Sequence, residues 1–345
     1  MAKHLPSSQE AGDQFPSRKC GEPDLCTSLN TLATISTTVT QMTHPFTRTT
    51  PIPEYKSTAQ LVTDAYKLVS LLPPDINHVI GIARSGLTVA SIVAMSLHLP
   101  MSIMRQSDGD IIPAGNGWRL KGHQHHDGRA VVIDDTVMAG RSLRDCMPIV
   151  WKQFPNAISA TVYCSPLSRY KPNYYVSEWA YPQLGEWNMP NSIYTQDTAV
   201  DFDGILCNDC DRDADDDGPK YLDFLANTKP KYLTRRAPIP LIVTGRLEKY
   251  RPQTEAWLAK WNIRWCQLEM YPGDYRTRTA RSVAEFKAEH FAEFLKRDRI
   301  VKPPFFVESD PTQANIIAKK TGGFVVCPAV SRCFFYGVKD EGTCT

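Results

Sequence analysis

Two clusters of carboxylates carry the chemistry that this sequence makes legible. The first lies in VVIDDTVMAGRSL (Val131–Leu143), an apolar run ending in Asp134-Asp135, then a small-residue turn and a stretch that can be helical. Two adjacent carboxylates at the carboxyl end of a strand can accept hydrogen bonds from the vicinal hydroxyls of a ribose. A helix N-terminus behind a glycine-containing turn offers unpaired N–H groups and a positive dipole end to a phosphate monoester. The carboxyl edge of a parallel sheet is also where ligands collect in open α/β folds. The bland alternative is a strand that happens to end in two acids, one of them capping the next helix. Ala139-Gly140-Arg141-Ser142 at this offset favours the ligand reading. The second cluster is AVDFDGIL (Ala199–Leu206). Asp201 and Asp203 leave a strand at i and i+2 and so project together, where one carboxylate can act as nucleophile while the other moves protons. A lone D-x-D is weak, because solvated acid pairs are common.

The elements that must hold these residues follow from hydrophobic period. Leu61, Ala65, Leu68, Val69 and Leu72 recur at helical spacing, and Pro73-Pro74 stops that helix. Strands are expected at His78–Ala83, Met101–Met104, Arg129–Asp135 and Ile158–Ser165, with helices at Gly86–Leu99 and Arg141–Phe154. A Pro-, Tyr- and Trp-rich connector, Tyr170–Asn191, contains Trp179, Tyr181 and Trp187, suited to interdomain packing or to stacking on a base. The pattern then restarts. Strands are expected at Ala199–Phe202, Ile239–Thr244, Trp265–Met270, Phe305–Glu308 and Phe324–Cys327, with helices at Pro219–Asn227, Pro252–Trp261, Thr279–Lys296 and Thr312–Lys320. Such alternation predicts an α/β protein of two Rossmann-like domains, each an open, mainly parallel sheet with helices on both faces. The expected division is a tail over residues 1–50, a first domain over 51–190 and a second over 191–345. Residues 1–50 are rich in Ser, Thr and Pro and lack an apolar period, so they cannot offset their ordering entropy. Met42 is an alternative start.

VVIDDTVMAGRSL resembles the loop with which type I phosphoribosyltransferases bind 5-phosphoribosyl 1-pyrophosphate (PRPP). The resemblance implies that Asp134 and Asp135 hold the ribose 2- and 3-hydroxyls, and that Met138, Ala139, Gly140, Arg141 and Ser142 wrap the 5-phosphate. Ala139 stands where the family usually has Thr, a loss of one hydroxyl contact worth ~1 kcal/mol. HVIGIARSGLTVASIVA (His78–Ala94) resembles the family's pyrophosphate loop, with Arg84 and the backbone of Ser85 and Gly86 facing pyrophosphate. Between the two runs Arg105–Gly128, long enough to be a lid. Arg105, Lys121 and His123 are its candidates for reaching pyrophosphate. Departure of pyrophosphate passes through a cationic sugar, so the expected catalysis is neutralisation of the leaving group by Mg²⁺ and cations behind a closed loop.

AVDFDGIL resembles motif one of the haloacid dehalogenase (HAD) superfamily. Thr244 in LIVTGR matches motif two, Lys287 in VAEFKAEHF matches motif three (Lys296 is a rival), and FFVESD (Phe305–Asp310) matches motif four. The resemblance implies Asp201 as nucleophile, Asp203 as acid and base, and Mg²⁺ held by Asp201, the Asp203 carbonyl and an acid from Glu308 or Asp310. The chain has Glu-Ser-Asp where the family usually has Gly-Asp or Asp-Asp. Only about 40 residues separate Asp203 from Thr244, and as many separate Thr244 from Lys287, which leaves no room for a large cap.

Composition narrows the class. Hydrophobic content of 42%, charge of 22% and a net charge of +2 over 345 residues suit a globular pair of domains. They give no field for a specific nucleic acid, and no apolar run reaches a membrane span. No secretory signal is visible, so the expected site is the cytoplasm. The ten cysteines are scattered, and Cys207/Cys210 has no second pair at zinc spacing, which favours reduced thiols. The acidic run Asp209–Gly218 lacks the Gly and Glu of a calcium loop and reads as solvated. The expected activity is transfer of phosphoribosyl from PRPP to a base-like small molecule, followed by hydrolysis of a phosphate ester, with a homodimer compatible. Alternatives are a PRPP- or nucleotide-sensing module that regulates the phosphatase, and two salvage activities joined only for co-expression.

Overall fold

The computed structural model describes residues 53–114, 128–297 and 304–337. Its first part contains β1 (Glu54–Lys56), α1 (Thr58–Leu71), β2 (Ile76–Ile82), α2 (Gly86–Leu97), β3 (Met101–Met104), β4 (Ile111–Pro113), β5 (Arg129–Val137), α3 (Arg141–Gln153), β6 (Ile158–Cys164), β7 (Tyr174–Glu178) and β8 (Gln183–Gly185). The second contains β9 (Thr198–Val200), α4 (Pro219–Asn227), β10 (Leu241–Leu247), α5 (Arg251–Lys260), β11 (Leu268–Tyr271), α6 (Ala280–Leu295), β12 (Phe305–Val307), α7 (Pro311–Thr321), β13 (Phe324–Cys327) and β14 (Arg332–Phe334).

Each part is built on one six-stranded sheet, in the orders β4-β3-β2-β5-β6-β7 and β11-β10-β9-β12-β13-β14. Pairing is parallel throughout except at β3–β4 and β13–β14, where an antiparallel strand closes one edge. Central parallel strands are covered on both faces, so β5 and β6 read as nearly continuous buried runs. Alternate side chains then divide between two cores. Val131 and Ile133 pack with Leu61, Leu68, Val89 and Val93 of α1 and α2, while Ala130 and Val132 pack with Leu143, Met147 and Val150 of α3. The second sheet repeats the scheme. Val200 and Ile242 face Tyr221, Leu225 and Trp257 of α4 and α5, and Ala199, Leu241 and Val243 face Phe291 and Ile317 of α6 and α7.

Local signals set the ends of the helices. Ser57 caps α1 by accepting from the Gln60 N–H, and Thr279 with Ser282 forms a reciprocal box at the start of α6. Asp310 caps α7 ahead of Pro311, and Gly322 closes that helix at φ 65°.

Four features differ from the sequence expectation. β5 does not end at its two acids but continues to Val137, and β10 runs past Thr244 to Leu247 with a register shift on the way. The connector, expected only as a joining stretch, contains strands of its own. It holds β7 at the sheet edge and β8, which pairs in parallel with β1 to make a separate two-stranded ladder. Such pairing joins residues more than a hundred positions apart and leaves no local periodic trace. That ladder packs against the second sheet, with Tyr55 and Leu184 among Phe305, Phe324, Val326 and Cys333. The acidic run is pinned rather than merely solvated: Asp215 pairs with Arg278, Asp217 with Lys249 and the Tyr250 hydroxyl, and Asp216 accepts from the Gly218 and Tyr221 N–H groups. No helix among the described residues is long and apolar enough to cross a membrane.

Candidate active sites

The register of the first sheet brings two loops together. Gly81 of β2 pairs with Ile133 of β5, so the turn that follows β2 lies beside Asp134 and Asp135. This turn contains Arg84 and Ser85, with a cis peptide between Ala83 and Arg84, and leads directly into α2. Gly86 permits the close approach, because a Cβ there would lie 2.7 Å from the Ile133 carbonyl oxygen and 2.9 Å from the Asp134 Cα. Beyond β5, Met138 and Ala139 are exposed, and Gly140 caps α3 at φ 77°, a conformation that favours glycine. Arg141 and Ser142 open α3, whose first N–H groups have no helical partner. Among the sequence candidates, Arg84, Ser85, Gly86, Asp134, Asp135 and the stretch from Met138 to Ser142 thus converge at one sheet edge. Arg105 stands at the carboxyl end of β3 and pairs with Asp108 in the turn toward β4. Lys121 and His123 lie outside the described residues.

Both aspartates are buried. Burial, reinforced by repulsion from Asp135, holds the Asp134 carboxyl well above the usual carboxylate range. Burial also raises Asp135, partly offset by hydrogen bonds that include the Trp187 indole. Asp134 Oδ1 accepts the Asp135 N–H at 2.9 Å, and Asp135 Oδ2 accepts the Trp187 Nε1–H at 2.6 Å. Trp187 was legible only as a candidate stacking or packing aromatic. Trp179 by contrast is core, fully buried and donating to the Glu54 carbonyl, while Tyr181 is exposed.

The second site also follows from register. Val307 of β12 and Ile242 of β10 both pair with Val200 of β9, so Glu308 stands level with Asp201 and Thr244 lies just beyond. Lys287, carried inward by α6, bridges the two acids: its Nζ is 2.9 Å from Asp201 Oδ2 and 2.8 Å from Glu308 Oε2. All three are buried. Burial and the Glu308 charge push Asp201 well up, and Lys287 only partly opposes them. For Lys287 burial favours the neutral amine, but the two carboxylates outweigh it and hold the ammonium. Replacing Lys287 with Met should therefore cost about 3–5 kcal/mol, since it leaves two acids buried without a counter-charge. Denaturant unfolding at neutral pH checks this, and a loss below 1 kcal/mol would contradict the pairing.

Asp203 points elsewhere. Arg246, fully buried, grips it with Nη2 at 2.6 Å from Oδ1 and Nε at 3.0 Å from Oδ2, and stacks 3.8 Å from the Phe202 ring centre. The Thr244 hydroxyl accepts the Arg246 N–H at 3.2 Å. Arg246 and Ser309 are members of the site that sequence reading left without a role. The Ser309 hydroxyl donates to the Asp203 carbonyl at 3.0 Å. The signal for Arg246 was a charge two residues beyond Thr244 inside an apolar strand. Asp209 also belongs to the rim. Its carboxylate lies where a Cβ on Gly204 would come within 2.7 Å, and burial raises it, with Asp203 adding to the effect. Asp310 is occupied as the α7 cap, accepting from the Thr312 and Gln313 N–H groups at 2.7 and 2.8 Å. Lys296 pairs with Glu293 on the surface, away from this cluster.

Among the described residues no three His, Cys, Asp or Glu side chains converge as a chelate. Oxygens of the Asp201 and Glu308 carboxylates and the main-chain carbonyl of Asp203 all lie within 3.5 Å of the Ser309 hydroxyl. These are hard donors that suit Mg²⁺. Between Asp203 and Thr244 the chain forms one helix, the nine-residue α4, and between Thr244 and Lys287 it forms the rest of β10, a single 3-10 turn, α5, β11 and the start of α6, so no lid domain is inserted.

No family model and no curated protein matches this chain. Solved structures similar to part of it include a purine phosphoribosyltransferase from Pyrococcus horikoshii (21% identity over 39% of this chain and 91% of that one, TM-score 0.31). A xanthine-guanine-hypoxanthine phosphoribosyltransferase from Helicobacter pylori is 14% identical over 39% of this chain and 92% of its own, with a TM-score of 0.30. An orotate phosphoribosyltransferase from Aeropyrum pernix is 17% identical over 35% and 70%, with a TM-score of 0.28. The likeness covers about residues 50–190.

Proposed function

We propose that the chain carries two sites acting in sequence: transfer of phosphoribosyl from PRPP to a base-like acceptor, then removal of the 5-phosphate from the product. The observation that carries the first half is the convergence of Asp134-Asp135 with two glycine-dependent turns, each leading into a helix N-terminus. Paired acids suit the ribose diol, the Gly140 turn suits the 5-phosphate, and the turn through Arg84 and Ser85 suits pyrophosphate. The bond from C1 to pyrophosphate breaks as the base nitrogen bonds C1, and no protein nucleophile is required.

The second half rests on the Asp201–Lys287–Glu308 cluster with Asp203 and Ser309 beside it. Asp201 attacks phosphorus, the ester P–O bond breaks, and Asp203, once released from Arg246 and protonated from solvent, gives that proton to the leaving oxygen. Asp203 then takes a proton from the water that attacks the aspartyl-phosphate, which frees phosphate and Asp201. Lys287 fixes the Asp201 carboxylate, and Arg246 fixes Asp203. Magnesium, held by Asp201, Glu308 and the Asp203 carbonyl, would neutralise phosphoryl charge. Glu308 suits that role better than Asp310, which is engaged at the helix cap.

The partial reactions test the two halves separately. Pyrophosphate should appear when PRPP, Mg²⁺ and a mixture of bases are supplied, and inorganic phosphate should appear from a generic phosphate monoester. No pyrophosphate with any base, while PRPP still binds, would favour the reading in which the first site senses PRPP and regulates the second.

A further inference from the structure

We propose that Trp187 is a positioning residue for the ribose-binding acids. Its indole N–H fixes the orientation of Asp135, and through it the carboxyl pair that would meet the two ribose hydroxyls. The proposal rests on the PRPP reading of the first site. Asp135 Oδ2 accepts the indole N–H at 2.6 Å and Asp134 Oδ1 the Asp135 N–H at 2.9 Å, and the two carboxyls also hydrogen-bond each other, so the indole anchors one member of a linked pair. The ring is itself held in place. It stacks on Tyr163 (centroids 6.3 Å apart, planes at 19°) and lies against Gly185, where a Cβ would come within 2.9 Å of it. The next residue, Asn188, exchanges hydrogen bonds with Ser85 in the other loop, at 3.2 and 3.3 Å. One short segment thus touches both loops of the site.

That segment is seated on the second sheet's domain. Glu186 accepts the Tyr232 hydroxyl as well as the Thr58 N–H. The Asn191 side chain accepts the Arg235 N–H at 2.6 Å and donates to the Leu233 carbonyl at 2.9 Å. Met189 packs against residues of both the β9–β10 core and the β12–β13 face. The carboxylate pair of the first site is therefore oriented by a residue whose footing lies partly on the domain of the second.

The test compares full-length chain and Trp187→Phe, which keeps a ring and removes the N–H, by calorimetric titration with ribose 5-phosphate and its 2,3-dideoxy analogue. The variant should bind ribose 5-phosphate about tenfold more weakly, the size expected for one lost bond to a charged acceptor. It should bind the dideoxy analogue as well as the parent does. Asn191→Ala, which leaves Trp187 in place but loosens its footing, should weaken ribose 5-phosphate by a smaller factor, about threefold, and spare the analogue. Equal weakening of both ligands would reduce Trp187 to a packing residue and overturn the proposal. Tighter binding by Trp187→Phe would overturn it too, making the indole an occupant that ligand must displace. If the unmodified chain binds neither ligand, the PRPP reading fails first and takes the proposal with it.

Discussion

Replacing Asp201 with Asn should lower release of inorganic phosphate from a phosphate monoester by on the order of 10³-fold or more, because the amide cannot form the covalent intermediate. The change conserves shape, and Lys287 keeps its 2.8 Å pair with Glu308, so no buried charge is left without a partner. Two stability effects oppose one another. The variant loses attraction between Asp201 and Lys287 but also loses repulsion between Asp201 and Glu308, which burial strengthens. A melting temperature within a few degrees of the parent is expected, with binding of PRPP unchanged. Phosphate release and thermal unfolding measured on the same preparation separate lost chemistry from lost fold. Retention of a tenth or more of the phosphatase rate would remove Asp201 from the nucleophile's role.

The double change Asp134→Asn with Asp135→Asn should abolish PRPP binding, a loss of at least two orders of magnitude for two charge-assisted contacts. Phosphatase activity on a generic ester should persist. The same variant should be more stable than the parent at neutral pH. Burial raises both carboxyls above their unfolded values, so their contribution to stability is full below the unfolded pKa and is lost as pH rises through the folded values. At neutral pH the pair, ionised in the unfolded chain and pushed toward protonation by burial in the folded one, is thus a penalty, and the neutral amides remove it. The parent should gain stability as pH falls from neutral toward about 4, the ordinary aspartate value, wherever these two groups dominate. The variant should lack that part of the gain. Thermal unfolding across this range, with PRPP titration at neutral pH, checks both expectations. A variant that is less stable and still binds PRPP would contradict the assignment. A site that trades stability for function in this way is the usual compromise.

Much of the architecture was legible because parallel strands buried on both faces and amphipathic helices leave strong local traces. β3, α4 and β13 lie where period and punctuation put them, and Pro73-Pro74 and Pro311 mark the neighbouring helix ends. What escaped depends on pairing over long distances. β1 and β8 are three-residue strands that exist only because Glu54–Lys56 meets Gln183–Gly185. The extension of β5 through Asp134 and Asp135 reflects pairing with β6 up to Cys164, whereas two acids in sequence read as a strand's end. At the candidate sites, residue types and spacing located Asp134, Asp135, Asp201 and Lys287, but not their partners. Asp203, just past the end of β9, is gripped by Arg246 from β10, 43 positions away. The hydrogen bond from Trp187 to Asp135 spans 52 positions and turns on the direction of one indole ring. The choice between Glu308 and Asp310 likewise needed geometry, because a helix cap and a metal ligand are the same residue type in sequence.

The central claim, that one chain makes a nucleotide and then removes its phosphate, is tested most directly by mass spectrometry of the products of two proteins. The unmodified chain, given PRPP, Mg²⁺ and a base it accepts, should yield pyrophosphate, inorganic phosphate and a dephosphorylated nucleoside. The Asp201→Asn chain under the same conditions should yield pyrophosphate at a near-normal rate and accumulate the 5-monophosphate. Appearance of the same dephosphorylated nucleoside from both proteins would show that the second site does not act on the product of the first.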